Sequence, residues 1–252
     1  MQSGVRSGAF AVALIALTTG CAGSPAGADR AVTVFAAASL TAVFTGLGER
    51  FERDNPGTTV RFSFAGSADL VTQLTQGAPA DVFASADETN MTRAVEAGLV
   101  DGAPTVFATN TLTIVTPPGN PDGVASFADL AKPGTAVVIC APQVPCGAAT
   151  ERVEEATGVR LSPVSEESAV TDVLGKVISG QADAGLVYRT DARRAGQQVT
   201  EVPFGAADDA VTSYPIAVLK DAADSAAARL FVDLVTGPRG RAALAEAGFA
   251  AP

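Results

Sequence analysis

The 252-residue sequence contains no histidine and no tryptophan, and it has only two tyrosines. The absence of histidine excludes a Ser-His-Asp triad, a Cys-His pair and an HExxH zinc site, because each of these needs an imidazole. The sequence also contains no serine three residues before a lysine. A hydrolase or transferase is therefore a weak alternative interpretation, and we expect a protein that is not an enzyme.

Positive charge is scarce: 17 Lys and Arg stand against 27 Asp and Glu, which gives a net charge of -10. A nucleic-acid-binding protein needs a basic stripe, and the sequence has none. An anionic ligand would have to be held by short-range hydrogen-bond donors rather than by general attraction. Hydrophobic residues make up 47% of the chain, which excludes wholesale disorder.

Long apolar segments are also missing. The apolar run at residues 9–17 is too short to span a bilayer. Together with the small residues before Cys21, it predicts a secretory signal over residues 1–20 that resembles a lipoprotein signal, with Cys21 lipidated. Thr18 stands where such a signal usually has Leu, so plain secretion with an unmodified Cys21 is the alternative. Residues 21–30 are predicted to form a flexible tether.

Cys140 and Cys146 are the two remaining cysteines. A pair of cysteines in an exported chain favours a disulfide, and two free buried thiols are the alternative. Two cysteines without histidine make a poor zinc site.

Strand-like and helix-like segments alternate from residue 31 to the end. A short apolar run at 32–35 is followed by apolar residues at helical spacing over 40–51, and the clearest helical stripe covers 170–178. Repeated strand-helix units predict an α/β fold with mainly parallel sheets flanked by helices.

In such folds ligands bind where strands end and helices begin. Ser39, Ser67, Val170 and the turn at 142–147 lie at these places. Each has an ordinary interpretation, because serines there usually cap helices, Gly and Pro shape loops, and Val packs in the core. Tyr188, at a strand end, is more often packing than a ligand contact. Asp81 and Asp87 could be paired carboxylates, but capping turns or binding the backbone is the stronger interpretation.

Seven segments nevertheless resemble one known family when they are taken together. They are TVFAAASL (33–40), FAGSADL (64–70), GAPADVFASAD (77–87), VPCG (144–147), SAVTDVL (168–174), ADAGLVY (182–188) and SYPIAVL (213–219). In order and spacing they resemble the periplasmic molybdate-binding proteins, the solute receptors of molybdate ABC transporters. The resemblance covers almost all of residues 31–252.

The resemblance implies a two-lobed periplasmic-binding-protein fold of type II, with a ligand cleft between the lobes. Lobe 1 would comprise residues 31–110 plus 214–252, and lobe 2 residues 111–213. The two crossing strands would lie near 110–112 and 211–214.

The resemblance also implies a site for one tetrahedral oxyanion with no charged side chain on it. Ser39 and Ser67 would donate hydroxyl and backbone N–H groups, Cys146 and Val170 backbone N–H groups, and Tyr188 its phenolic O–H. Cys146 stands where the family usually has Ala. The metal would be bound only through its oxygens, and no separate cofactor is implied.

The implied partners are molybdate or tungstate, a membrane permease and, through Cys21, the membrane itself. We expect an extracytoplasmic monomer that binds no nucleic acid. The alternatives are a receptor for another tetrahedral oxyanion such as sulfate, or a non-catalytic surface lipoprotein.

Overall fold

The computed structural model describes residues 30–252. The predicted signal at 1–20, the lipidation site Cys21 and most of the tether lie outside the described residues. Arg30, the last residue of the predicted tether, already belongs to the first strand.

Lobe 1 is built on a five-stranded sheet in which four strands run one way and one runs against them. In spatial order the strands are β2 (Thr58–Ala65), β1 (Arg30–Ala37), β3 (Val82–Ala84), β10 (Thr212–Leu219) and β4 (Val100–Asn110). The reversed strand is β10.

Lobe 2 repeats this arrangement. Its strands, in spatial order, are β7 (Ser165–Glu167), β6 (Val137–Cys140), β8 (Ala184–Tyr188), β5 (Leu112–Thr116) and β9 (Thr200–Val202). Here the reversed strand is β5. Each reversed strand follows a crossing from the other lobe, so it starts at the cleft, where the parallel strands end. The mainly parallel α/β fold is confirmed, with one antiparallel strand in each sheet.

Eight helices cover the sheets within residues 30–252. They are α1 (Thr41–Asp54), α2 (Ser67–Thr75), α3 (Glu88–Glu96), α4 (Pro145–Thr157), α5 (Val170–Ile178), α6 (Arg189–Ala195), α7 (Ser225–Thr236) and α8 (Pro238–Ala247). Short 3-10 turns lie at 38–40, 127–131, 196–198 and 205–210. None of the described helices is both long and apolar enough to cross a membrane.

The two lobes have separate cores of different character. Lobe 1 packs aromatic rings between its sheet and α1, α7 and α8, with Phe44 and Phe51 both in edge contact with Phe231 at centroid distances of 6.0 and 5.6 Å. Lobe 2 packs mainly aliphatic side chains, including the buried face of α5. Each lobe therefore has its own hydrophobic core.

Two neighbouring chain segments connect the lobes. Strand β4 continues into β5 with only Thr111 between them, and the chain returns at Val211 into β10. The two crossings are paired at Asn110 and Thr212. The Asn110 side-chain amide also donates to the Thr190 hydroxyl at 2.8 Å, which ties the crossing to α6 of lobe 2.

Candidate functional site

A small cavity lies in the cleft between the two lobes. Its wall is formed by Ala37, Ala38, Ser39, Ala65, Gly66, Ser67 and Ala86 from lobe 1 and by Val144, Pro145, Cys146, Val170 and Tyr188 from lobe 2. All five predicted site residues are therefore brought together, although they are spread over 150 positions of sequence. Every side chain in this wall is uncharged.

Helix N-termini from both lobes point into the cavity. Ser67 is the first residue of α2, Val170 is the first of α5, and Cys146 is the second of α4, after Pro145. The amide groups of a first helical turn have no acceptor within their own helix. The macrodipole of each helix places about half a positive charge at this end. Three helices thus direct free N–H groups and partial positive charge at one point.

The two serines do not cap their helices, in contrast to the ordinary interpretation. Gly66 holds the cap position of α2, Leu40 holds that of α1, and neither helix has a side-chain cap bond. The Ser67 hydroxyl instead accepts a hydrogen bond from the Ala86 N–H at 3.0 Å. Ser39 lies in the 3-10 turn, and its hydroxyl is 3.0 Å from that of Tyr214.

Tyr188 contributes a phenolic hydroxyl to the part of the cavity wall that lobe 2 forms. The residue is 1% exposed, and its hydroxyl has no hydrogen-bond partner among residues 30–252. Burial raises the pKa of Tyr188 well above its usual value, so the group keeps its proton. A buried hydroxyl without a partner costs about 1–3 kcal/mol. Such a group in a cavity wall indicates a site for an acceptor ligand.

The turn before α4 is fixed covalently. Cys140 at the end of β6 forms a disulfide with Cys146, as predicted, and the alternative of two free thiols does not hold in the structure. The next residue, Gly147, packs so closely that a Cβ there would collide with the Ala141 carbonyl oxygen. The disulfide and this close approach together position the Cys146 N–H.

The lobes are closed over the cavity. A Cβ on Gly66 of lobe 1 would collide with the backbone carbonyl oxygen of Ser168 in lobe 2. A second contact joins the Asn90 side-chain amide to the Gln143 carbonyl at 3.5 Å. Gly66 has an ordinary negative φ of -61°, so the position needs glycine for space and not for backbone conformation.

Comparison with known proteins agrees with this geometry. The model of the bacterial extracellular solute-binding protein family matches residues 32–250. The chain belongs to this family. It is 54% identical to the molybdate-binding protein ModA of Mycobacterium tuberculosis H37Rv over 99% of this chain and 98% of that one. It is 30% identical to ModA of Escherichia coli K12, over 93% and 94% of the two chains.

Solved structures show the same architecture. The periplasmic molybdate-binding protein of Azotobacter vinelandii superposes with a TM-score of 0.76 at 25% identity, covering 88% of this chain and 99% of that one. The sulfate-binding protein SubI of M. tuberculosis, at 23% identity and a TM-score of 0.72, shares the fold.

Two buried carboxylates of this solute-binding protein, Asp81 and Asp87, hold its backbone in place. Asp87 caps α3 by accepting the Asn90 N–H at 2.9 Å, and Asp81 accepts the N–H groups of Thr33 and Ala223 at 2.6 Å each. The capping interpretation is therefore confirmed. Within residues 30–252, no three acidic or thiol side chains are arranged to hold a bare metal ion.

Two buried residues beside the site were not predicted. Tyr214 contacts Ser39, and Asp191 lies in α6 with one carboxylate oxygen unpartnered among the described residues. Burial raises the pKa of Asp191 to about 6, and Arg194, at 3.5 Å, partly offsets the rise. Tyr214 had a signal in the sequence, because it is one of only two tyrosines and stands next to a predicted crossing. Asp191 had none, because its segment RTDARRA looks like an ordinary polar surface.

Proposed function

We propose that this protein is the extracytoplasmic receptor that binds molybdate, and also tungstate, for an ABC transporter. The observation that carries the proposal is the composition of the closed cavity: neutral donors, three helix N-termini and an unpartnered Tyr188 hydroxyl. Its ModA relatives are named for molybdate binding, which favours the same ligand. Ser39, Ser67, Cys146, Val170 and Tyr188 are the proposed ligand-binding residues.

Neutral groups are sufficient to hold a dianion here. Each hydrogen bond to a charged oxygen contributes about 1.5–3 kcal/mol, and the helix N-termini add their partial charges. The binding free energy that remains after the entropy cost of ordering the ligand and the site corresponds to a Kd between about nanomolar and micromolar. The net charge of -10 opposes association only weakly, because salt screens it over about 8 Å at physiological ionic strength.

Selectivity for molybdate follows from the number of protons that each oxyanion carries and from the size of the oxyanion. Phosphate near neutral pH carries a proton, and a site made only of donors leaves that proton without an acceptor. Sulfate carries none, but its oxygens lie closer to the central atom than those of molybdate, so the donors reach it less well. Tungstate is nearly the size of molybdate and is expected to bind alike.

Binding would act through the hinge. We propose that lobe 1 (31–110 plus 214–252) and lobe 2 (111–213) open and close about the paired crossings. The closed, loaded form would then be presented to the membrane permease. Cleavage after residue 20 and lipidation of Cys21 would hold the receptor near that permease, and the tether would raise its effective concentration.

A thermal-shift series tests the proposal. The protein is heated with molybdate, tungstate, sulfate or phosphate at equal concentration. Ligand stabilisation grows as RT ln(1 + [L]/Kd), so a large rise in Tm is expected for molybdate and tungstate and a small one for the other two. A larger rise with sulfate would reassign the receptor to sulfate, and no rise with any oxyanion would contradict the receptor function.

Serine substitutions test the site. Ser39→Ala and Ser67→Ala should each weaken molybdate binding in calorimetry, while the apo protein loses no more than about 1–3 kcal/mol, because the Tyr214 hydroxyl or the Ala86 N–H loses its partner. Ser179→Ala, at an exposed position after α5, is the matched control and should bind like the parent. Parental affinity in both site variants would show that the proposed residues are wrong.

A further inference from the structure

Tyr214 stands behind the proposed site and takes no part in its wall. It lies on β10 just past the return crossing and is fully buried. Its ring packs edge-on against Phe249, Tyr188 and Phe107, with centroid distances of 5.3, 5.9 and 6.3 Å. Its hydroxyl is thereby held 3.0 Å from the hydroxyl of Ser39.

We propose that Tyr214 is a positioning residue that fixes the direction in which Ser39 donates its proton. The proposal rests on the oxyanion-binding function given above. It adds to that function a residue that sets specificity without touching the ligand.

The Ser39 and Tyr214 hydroxyls have only two protons between them. Each hydroxyl has a single proton to donate. If Ser39 donated to Tyr214, it would present only lone pairs to the cavity and would repel an oxyanion. If Tyr214 donates to Ser39, the serine proton is free for the ligand. Burial raises the pKa of Tyr214, so its proton is retained for this purpose.

Ser67 shows the same arrangement in a form that cannot reverse. Its hydroxyl accepts from the Ala86 backbone N–H, which can only donate. The Ser67 proton must therefore point elsewhere, and Ser67 lines the cavity. Each serine is thus backed by a donor, a backbone amide in one case and the Tyr214 hydroxyl in the other.

Loss of the Tyr214 hydroxyl should change specificity as well as affinity. Without it, a lone pair of Ser39 becomes free to accept a proton. Hydrogen phosphate, which carries such a proton, would then be tolerated better than in the parent. The ratio of molybdate affinity to phosphate affinity should therefore fall.

A double-mutant cycle tests the proposal. Molybdate binding is measured by calorimetry for the parent, Tyr214→Phe, Ser39→Ala and the double variant. Phenylalanine retains the ring packing, and near-ultraviolet circular dichroism of each apo protein checks this. We expect Tyr214→Phe to weaken binding about tenfold when Ser39 is present, because the Ser39 hydroxyl then has no donor that fixes its orientation, and less than about twofold when Ser39 is absent.

The cycle separates positioning from a purely structural role. A structural role for the Tyr214 hydroxyl would cost the same affinity in both backgrounds, and that result would overturn the proposal. An unchanged molybdate-to-phosphate ratio in Tyr214→Phe would also overturn it. If the parent binds molybdate but the cycle is additive, the role proposed for Tyr214 is wrong and the receptor function stands. If the parent does not bind molybdate, the role of Tyr214 and the receptor function are both wrong.

Discussion

The chemistry of the site at the scale of single residues depends on protons that the folded chain leaves free. Tyr188 has a buried hydroxyl without a partner in the described chain, and Ser67 accepts from a backbone N–H, which frees its own proton. These groups are stabilised only when an acceptor fills the cavity. The hydroxyls donate no hydrogen bond in the empty protein, and the hydrogen bonds that they donate to a bound ligand stabilise the complex.

Tyr188→Phe should separate stability from affinity. The change removes an unpartnered hydroxyl and keeps the ring, so the free energy of unfolding of the apo protein should stay level or rise. Molybdate affinity should fall about 10- to 150-fold, which corresponds to one charge-assisted bond of about 1.5–3 kcal/mol. Calorimetry and apo melting curves check this, and unchanged affinity would remove Tyr188 from the site.

Asp191 should give the protein an unusual pH dependence. Its folded pKa is raised from 3.8 to about 6, so above pH 6 the native state carries a buried charge that the unfolded state solvates. Acidification from pH 7 towards 4 should therefore stabilise the protein through this group, by up to about 3 kcal/mol.

Asp191→Asn isolates that contribution. The stability of this variant relative to the parent should be greatest near pH 7.5 and should decline towards pH 4, as followed by denaturant unfolding. Parallel stability profiles for the two proteins would show that Asp191 does not titrate in this way.

The residues of the cavity wall could be predicted from the sequence, whereas Tyr214 and Asp191 behind the wall could not. Ser39, Ser67 and Val170 follow from strand-to-helix turns, and the resemblance to a known family assigned their roles. Tyr214 was missed because its partner Ser39 is 175 residues away in the sequence, and Asp191 was missed because its burial arises only when α6 packs. Neither feature leaves a local pattern in the sequence.

The elements are arranged so that the first turns of helices meet. The start of α4 is the most constrained of these, because the disulfide joins its first turn to the end of β6 and Gly147 packs against the same turn. This constraint acts on the Cys146 N–H, one of the proposed donors. The element that supplies the donor is therefore held before the ligand arrives.

Reduction of the disulfide should weaken both stability and binding. The enclosed loop is short, so the loss of stability should be about 2–2.5 kcal/mol by loop entropy. Molybdate affinity should fall too, because the Cys146 N–H loses its fixed position. The Cys140→Ser, Cys146→Ser double variant is the control, since reductant should not change it. Equal affinity before and after mild reduction would show that the bridge does not support binding.

Elements with clear periodicity were predicted, and those without it were missed. The helical stripe of α5 and the apolar run of β1 are regular. Strand β4 was not predicted, because Gly102 and Pro104 interrupt its sequence. It lies at the edge of its sheet, where such residues are tolerated. The edge strand β7 has the polar sequence SEE and was missed for a similar reason.

The whole molecule combines two similar sheets with a two-stranded connection. The cavity exists only where the lobes meet, so affinity depends on how closely they approach. Gly66 and Ser168 form a close contact between the lobes beside the site. A side chain at position 66 would keep the lobes apart without disturbing either core.

Gly66→Ala should therefore reduce affinity more than stability. Overpacking of this contact costs about 1–3 kcal/mol in the closed state, so molybdate binding should weaken about 5- to 150-fold. The apo melting temperature should change little, because an open molecule avoids the clash. Gly46→Ala is the matched control: a Cβ there meets no atom within 4 Å, and alanine should keep affinity and add helix stability. Equal binding by both variants would contradict closure at Gly66.

The proposed site holds a dianion between the lobes by uncharged donors alone. A crystal structure of the protein with tungstate tests this most directly, because the anomalous signal locates the heavy atom. One peak is expected in the cleft, with the tungstate oxygens contacting Ser39, Ser67, Tyr188 and the amides of Cys146 and Val170. A peak outside the cleft, or one coordinated by Arg or Lys side chains, would contradict it.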